Sequence, residues 1–269
     1  MAFEVASVKP SKGAFAPPDF PLDSGDGYRA TGGLFRADFP LSVYIEFAYK
    51  LWPNEEQRRE LSHLPKWVAG DRYTIEARAA GNVTKDQMRL MVQSLLAERF
   101  HLAAHFETRE VPVFALTLAK PGKPGPKLIP HAYGPPCDRP GASPGRGMAG
   151  FPPACGALAA IRKPDSGLML VGDRDVTMEV LAGSFSVIPL RLGRPVIDRT
   201  GLQGSFDFTL EWAPEANGPP RPDGGAAPPE PAGPTALEAL HDQLGLKLEG
   251  TKGPVRILVI DQVERPSEN

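Results

Sequence analysis

The sequence predicts an α+β protein in which helix–strand–strand modules are repeated and antiparallel sheets are covered by helices. The repeat is the main evidence. Residues 95–118 (LLAERFHLAAHFETREVPVFALTL) and 237–260 (LEALHDQLGLKLEGTKGPVRILVI) share one order: a helix end, a short strand, a charged turn and an apolar strand. Capping boxes precede both, Thr84 with Gln87 and Thr235 with Glu238.

The individual elements follow from the spacing of apolar residues. Met88, Val92 and Leu95 recur at helical spacing, whereas Leu102 and Phe106 belong to an alternating, strand-like pattern. The predicted helices are 40–49, 84–98, 176–185 and 235–244, and the predicted strands are FEVASVKP at the start, 71–79, 100–107, 111–119, 195–212, 246–249 and 255–262. Turns as short as ETRE and GTKG join only antiparallel strands, because parallel strands need a longer crossover.

The uneven placement of 31 prolines and 28 glycines divides the chain. We expect N-terminal α/β modules over 1–120, a Pro/Gly-rich loop pinned by a disulfide over 121–170, and a third α/β module over 171–212. A flexible linker over 213–234 then leads to a C-terminal helix–hairpin module over 235–269.

Composition excludes two classes of function. The chain of 269 residues has a net charge of −2, and Lys and Arg nowhere cluster with aromatic residues, so nucleic acid is not an expected partner. No apolar stretch reaches the roughly 20 residues of a membrane-spanning helix. The expected partner is a protein or a small-molecule ligand, and the oligomeric state is left open.

Cys137 and Cys155 both lie in the first Pro/Gly-rich stretch. A disulfide between them would stabilise that stretch by roughly 3 kcal/mol; two free thiols are the alternative. A disulfide favours an oxidising compartment. Met1 leads directly into a strand-like segment, which is typical of a trimmed, exported protein, although a cytoplasmic protein is the other interpretation. We therefore expect a periplasmic or secreted location.

A few polar side chains have the chemistry of a catalytic or metal site. His105 and Glu107 share one face of a strand, and Asp198 and Asp261 stand at strand ends. We take Asp198 and His105 as candidate catalytic residues, and Glu107, Asp198 and Asp261 as candidate ligands of a divalent cation, Ca²⁺ or Zn²⁺. The alternatives are a solvated, charged sheet face around His105 and a turn capped by Asp198.

Known catalytic motifs are absent or out of context. GASPG at 141–145 matches G-x-S-x-G, but Ser143 lacks the strand before it and the helix after it that a nucleophile elbow needs. HLAAH lacks the glutamate of the zinc-protease motif HExxH. Gly193, Gly201 and Gly204 do not form a dinucleotide-binding fingerprint, so no organic cofactor is expected.

Four phrases together resemble a known family: FEVASVKP, LLAERFHLAAHFETREVPVFALTLAKPG, VIDRTGLQGSFDFTLEWAP and VIDQVERPSEN. They are similar to the domain-of-unknown-function family 3738 of soil-associated, Solibacter-type bacteria. The resemblance implies an extracytoplasmic protein, and it supplies no established activity or catalytic residues. VTMEVLAGSF with RPVIDRTGLQGSFDFTLEW also resembles the short N-terminal modules of secretins and outer-membrane receptors, which bind proteins.

These observations favour an extracytoplasmic binding or protein-interaction module. The alternative is a hydrolase of small esters or lactones, in which strand-end carboxylates and a histidine hold a metal-activated water.

Overall fold

The structure, a computed structural model, describes residues 1–266 except 12, 15, 16, 26, 28–30, 134–154, 157, 187–189, 191 and 215–231. Its helices are α1 Leu41–Ala48, α2 Glu55–Ser62, α3 Trp67–Gly70, α4 Lys85–Phe100, α5 Met178–Phe185 and α6 Ala236–Leu244, with a short 3-10 helix at His131–Tyr133. Its strands are β1 Val5–Pro10, β2 Leu34–Pro40, β3 Arg72–Arg78, β4 Ala103–Leu118, β5 Leu128–Pro130, β6 Ala159–Arg162, β7 Met169–Thr177, β8 Val196–Asp198, β9 Ser205–Trp212 and β10 Leu246–Gln262.

The strands form three sheets, which confirms the predicted α+β class. The sheets have the orders β1-β3-β2, β10-β4-β8 and β5-β9-β7-β6. The first and third are antiparallel throughout, whereas β4 and β8 are parallel neighbours. Within the described residues, no helix is both long enough and apolar enough to cross a membrane.

The two predicted hairpins are wrong. Residues 103–118 form one continuous strand, β4, and residues 246–262 form another, β10, so neither ETRE nor GTKG is a turn. The long strands are neighbours of each other instead. ETRE contains none of the Gly, Asn or Asp residues that supply the positive φ of tight hairpin turns. Without such a turn, pairing between the two distant strands satisfies the backbone groups that a local hairpin would have satisfied.

Both predicted capping boxes are confirmed. Thr84 caps α4 through the backbone N–H of Gln87, and Thr235 caps α6 through that of Glu238. Each helix also ends on a residue in the left-handed conformation, and these two ends differ in sequence. α6 ends at Gly245, with φ 66°, whereas α4 ends at His101, with φ 48°. Only glycine adopts this conformation without steric penalty.

The contacts divide the chain into two compact units. The first comprises residues 1–113, 192–195 and 251–269, and the second comprises 114–191 and 196–250. In the first unit, α1, α4 and the β1-β3-β2 sheet enclose a large apolar core. It includes five fully buried aromatic residues: Phe20, Phe35, Tyr44, Phe47 and Phe100.

In the first unit, the buried side chain of Gln57 makes two hydrogen bonds to the backbone of β10, as a neighbouring strand would do. The Gln57 amide on α2 donates to the carbonyl oxygen of Leu258 at 3.0 Å and accepts from the Leu258 backbone N–H at 2.9 Å. Gln57 is 3% exposed and Leu258 is 0% exposed. The amide therefore satisfies both polar groups of one residue of β10 in a place that water does not reach.

The ends of the second Pro/Gly-rich stretch meet. The Ala213 backbone N–H donates to the Pro234 carbonyl oxygen at 2.8 Å, so the chain leaves β9 and returns beside it before α6 begins. The predicted flexibility concerns 215–233, most of which lies outside the described residues. Cys137 and Ser143 also lie outside them, so the Cys137–Cys155 disulfide stays a prediction.

Candidate functional site

A pocket of about 430 Å³ lies on the outer face of the β1-β3-β2 sheet. Alternation along the strands explains its polarity. Val8, Phe35 and Ile75 point into the core, so their neighbours in sequence point outward. Six outward side chains form the floor of the pocket: Ser7, Lys9, Arg36, Asp38, Thr74 and Glu76.

The strand register arranges this floor in two rows. Lys9 is opposite Thr74 and Thr74 is opposite Asp38, which places a cation and an anion at the two ends of one row. Ser7, Glu76 and Arg36 form the other row in the same way. The rest of the lining comes from Pro10, Ser11, Gly13, Ala14, Pro17 and Ala37.

Asp38 is the most unusual residue of the pocket because it is a buried carboxylate with an unsatisfied oxygen. It is 7% exposed. Its Oδ2 accepts from the Ser11 hydroxyl at 3.0 Å and lies 3.2 Å from the Arg72 guanidinium. Its Oδ1 has no hydrogen-bond partner and is shielded from solvent. Buried carboxylate oxygens are normally hydrogen-bonded, so this oxygen is an exception among the described residues.

The two cations on the floor are in different states. Arg36 lies 3.3 Å from Glu76, and both side chains are more than half exposed. Lys9 is exposed, and among the described residues its ammonium group has no hydrogen-bond or ion-pair partner. The floor of the pocket therefore carries one exposed cation without a partner among the described residues, Lys9, and one buried carboxylate, Asp38, on opposite edges of the same sheet.

Three of the predicted site residues come together on β4 and β10. His105 Nδ1 lies 2.9 Å from Asp261 Oδ2, and its Nε2 lies 3.4 Å from Glu107 Oε1. Glu107 also accepts from Arg109, which in turn donates to Glu60 at 2.8 Å. The Asp261 carboxylate, and secondly Glu107, raise the pKa of His105, while Arg109 lowers the pKa of Glu107.

This arrangement is an exposed network of alternating charges. Both ring nitrogens of His105 face carboxylates, so the protonated imidazolium fits the contacts. In the part of the chain that the structure describes, no group of three or more His, Cys, Asp or Glu side chains is arranged to hold a metal ion.

Asp198 is engaged by residues of its own turn. It lies at the end of β8 in the second unit, where its Oδ1 accepts from both the backbone N–H and the hydroxyl of Thr200, each at 2.8 Å. These are the contacts of a side-chain-capped turn. The geometry thus matches the structural interpretation of VIDRTG.

A second polar cluster, which the sequence analysis did not identify, lies at a bulge in β7. His131 Nδ1 lies 2.6 Å from Asp207 Oδ1, which also accepts from the Asp175 backbone N–H at 3.0 Å. Asp175 has φ 56° where the register of β7 shifts against β9. A single histidine far from its aspartate in sequence carries no signal of such a contact.

The pocket was also missed, although a signal for it exists. VASVKP and LFRADFP alternate inward apolar and outward polar residues, which marks one polar face of a sheet. That face becomes a pocket only through Ser11, Gly13, Ala14 and Pro17, whose position no periodicity encodes.

Comparison with known proteins gives one result. The model of a protein family described as "Protein of unknown function (DUF3738)" matches residues 42–263. This span includes Thr74 and Glu76 of the pocket and begins after Asp38. Neither the curated proteins nor the solved structures contain a significant match. The matched span covers most of the chain, which therefore belongs to the DUF3738 family.

Proposed function

We propose that this protein is an extracytoplasmic binding module that takes a small polar molecule into the pocket on the β1-β3-β2 sheet. The observation that carries the proposal is the polar floor of that pocket, where the exposed Lys9 ammonium has no partner among the described residues. A polar ligand that accepts a hydrogen bond there gives this ammonium a partner.

The volume agrees with a small ligand. Pockets for small molecules measure about 300–1,000 Å³, and they combine apolar walls with a few polar groups that fix orientation. Here Pro10, Pro17 and Ala14 supply apolar surface next to the polar floor.

The alternative, a metal-assisted hydrolase of small esters or lactones, draws on the contact between His105, Glu107 and Asp261. The polar groups of these three side chains form hydrogen bonds with one another or with Arg109. Asp198 caps a turn in the second unit. The geometry therefore supports a hydrolase less well than a binding module. Turnover of an ester and lactone panel that disappears with a chelator and in Asp261→Asn would favour the hydrolase.

The test of the binding function is a thermal-shift screen against amino acids, peptides, sugars, organic acids and nucleosides. Thr74→Trp fills the centre of the pocket floor. Thr209→Trp makes the same change at a half-buried position of β9, outside the pocket. We expect compounds of one class to raise the Tm of the parent protein and of Thr209→Trp, but not that of Thr74→Trp. Stabilisation that persists in Thr74→Trp, or none in any class, would overturn the proposal.

The extracytoplasmic location is a separate part of the proposal, supported by the predicted Cys137–Cys155 disulfide. Thiol labelling of protein taken directly from cells distinguishes the alternatives. We expect both cysteines to react only after reduction; labelling of both without reduction would favour a reducing compartment.

A further inference from the structure

We infer that the pocket is specific for a small organic acid with a single negative charge, a monocarboxylate, whose carboxylate binds at Lys9. This inference rests on the proposed binding function and adds the chemical class of the ligand.

The charges around the floor leave one positive charge in excess. Among the described residues that line the pocket, the carboxylates are Asp38 and Glu76. Glu76 lies 3.3 Å from the Arg36 guanidinium, and Asp38 lies 3.2 Å from that of Arg72. Each carboxylate therefore already has a cation, and Lys9 is the cation that remains. This excess attracts an anionic ligand and repels a cationic one.

Two hydroxyl groups accompany Lys9 on the floor. Thr74 is directly opposite Lys9 in the strand register, and Ser7 precedes Lys9 by two residues on the same face of β1. All three residues line the pocket, and neither hydroxyl has a hydrogen-bond partner among the described residues. An ammonium group supplies three donors and a hydroxyl supplies one, whereas an ionised carboxylate only accepts. This set of donors therefore suits a carboxylate.

The ion pair of Asp38 and Arg72 holds one wall of the pocket in place. The Arg72 guanidinium donates to the Ser11 hydroxyl at 3.3 Å and to the Gly13 carbonyl oxygen, and the Ser11 hydroxyl donates to Asp38 at 3.0 Å. Ser11 and Gly13 both line the pocket. This wall is therefore formed before a ligand binds, which lowers the entropy that binding costs.

The cations present favour a carboxylate over a phosphate. A phosphate monoester carries a charge of about −1.5 to −2 near pH 7, which a single lysine does not balance. Phosphate is also well matched by the planar fork of an arginine, and both arginines here face carboxylates. A monocarboxylate matches the single excess charge. Pro10, Ala14 and Pro17 supply apolar surface for the rest of the molecule.

The test uses propanoate, benzoate and gluconate, each beside its neutral amide, with benzylamine as the matched cation and phenyl phosphate as the matched dianion. Thermal shift and titration calorimetry measure binding. We expect at least one carboxylate to bind about tenfold or more tightly than its amide, because the amide lacks the charge that pairs with Lys9. Benzylamine should not bind, and phenyl phosphate should bind no more tightly than benzoate.

Variants of the floor identify the groups that bind the carboxylate. Lys9→Gln should weaken the carboxylate to the level of its amide and leave the amide unchanged, whereas Lys9→Arg keeps the charge and should retain most of the affinity. Thr74→Val replaces the hydroxyl by a methyl group and should weaken the carboxylate about three- to tenfold. Lys123→Gln, an exposed lysine outside the pocket, is the matched control and should bind like the original protein.

Equal binding of carboxylates and amides, or an effect of Lys9→Gln no larger than that of Lys123→Gln, would overturn the inference. Tighter binding of phenyl phosphate than of benzoate would also overturn it. A neutral or cationic compound that stabilises the protein and is excluded by Thr74→Trp would overturn the ligand class while leaving the binding function intact. Stabilisation by no class of compound would overturn the binding function, and the inference with it.

Discussion

Replacement of Gln57 by alanine should destabilise the first unit far more than its position on a short, polar helix suggests. The Gln57 amide makes two hydrogen bonds to Leu258, at 3.0 and 2.9 Å, and both residues are buried. Gln57→Ala removes both bonds and leaves the N–H and the carbonyl of Leu258 without partners. Two lost bonds at about 1 kcal/mol each, or two buried groups left unpaired at about 1–3 kcal/mol each, give a loss of roughly 2–6 kcal/mol.

Urea unfolding measures this loss, and Gln262→Ala is the control. Gln262 is an exposed glutamine near the end of β10, so its replacement should change the free energy of unfolding by less than about 0.5 kcal/mol. Amide hydrogen exchange gives a local measure, because the Leu258 N–H should lose its protection in Gln57→Ala.

Gln57→Glu tests the direction of each bond. The charged carboxylate accepts from the Leu258 N–H but cannot donate to the Leu258 carbonyl, and burial raises the pKa of a carboxyl at this position. On acidification the protonated acid regains a donor. Its stability deficit relative to the original protein should therefore shrink as the pH falls from 8 towards 5. A deficit that is the same at both pH values, or a loss in Gln57→Ala below about 0.5 kcal/mol, would refute the reasoning.

Three further predictions concern other parts of the fold. The NMR titration midpoint of His105 should lie above 6.5 and should fall in Asp261→Asn. Because the folded-state pKa of His105 is raised, the stabilisation from its charged contacts is complete below about pH 6.5 and is lost as the pH rises through that pKa. Asp261→Asn should therefore destabilise the protein more at pH 5.5 than at pH 9. At the two left-handed helix ends, His101→Gly should stabilise by up to about 1 kcal/mol and Gly245→Ala should destabilise by at least that much, measured by urea unfolding; changes of the same sign would contradict the assignment. Replacement of residues 214–233 by a short glycine-rich turn should lower the Tm by only a few degrees, because the flanking backbone already meets; loss of folding would show that the stretch is structural.

The sequence predicted elements whose signals are local. Helices α1, α4, α5 and α6 appear within two residues of their expected positions, since apolar spacing and capping boxes are properties of neighbouring residues. The continuity of β4 and β10 could not be read in this way, because it depends on pairing between segments more than 100 residues apart.

The candidate sites, too, were predictable only in their local features. The strand alternation that predicts a shared face for His105 and Glu107 is local, and the structure also brings Asp261 to this pair. The pocket and the contact of His131 with Asp207 depend on strand order and on irregular segments. Strand order and irregular segments produce no periodic pattern in the sequence. The local pattern could therefore identify the residue types but not their contact partners.

The division of the first unit into distant segments of chain has a consequence for the order of folding. Its core includes Leu258, and the contact of Leu258 with Gln57 closes a loop of 201 residues. Contacts of such large sequence separation form slowly, because the entropy of loop closure is lost before the contact stabilises anything. During synthesis, the first 113 residues therefore cannot complete the first unit by themselves. Part of their apolar surface stays exposed until residues 251–263 are synthesised, and during this interval the nascent chain needs protection from aggregation, for example by a chaperone.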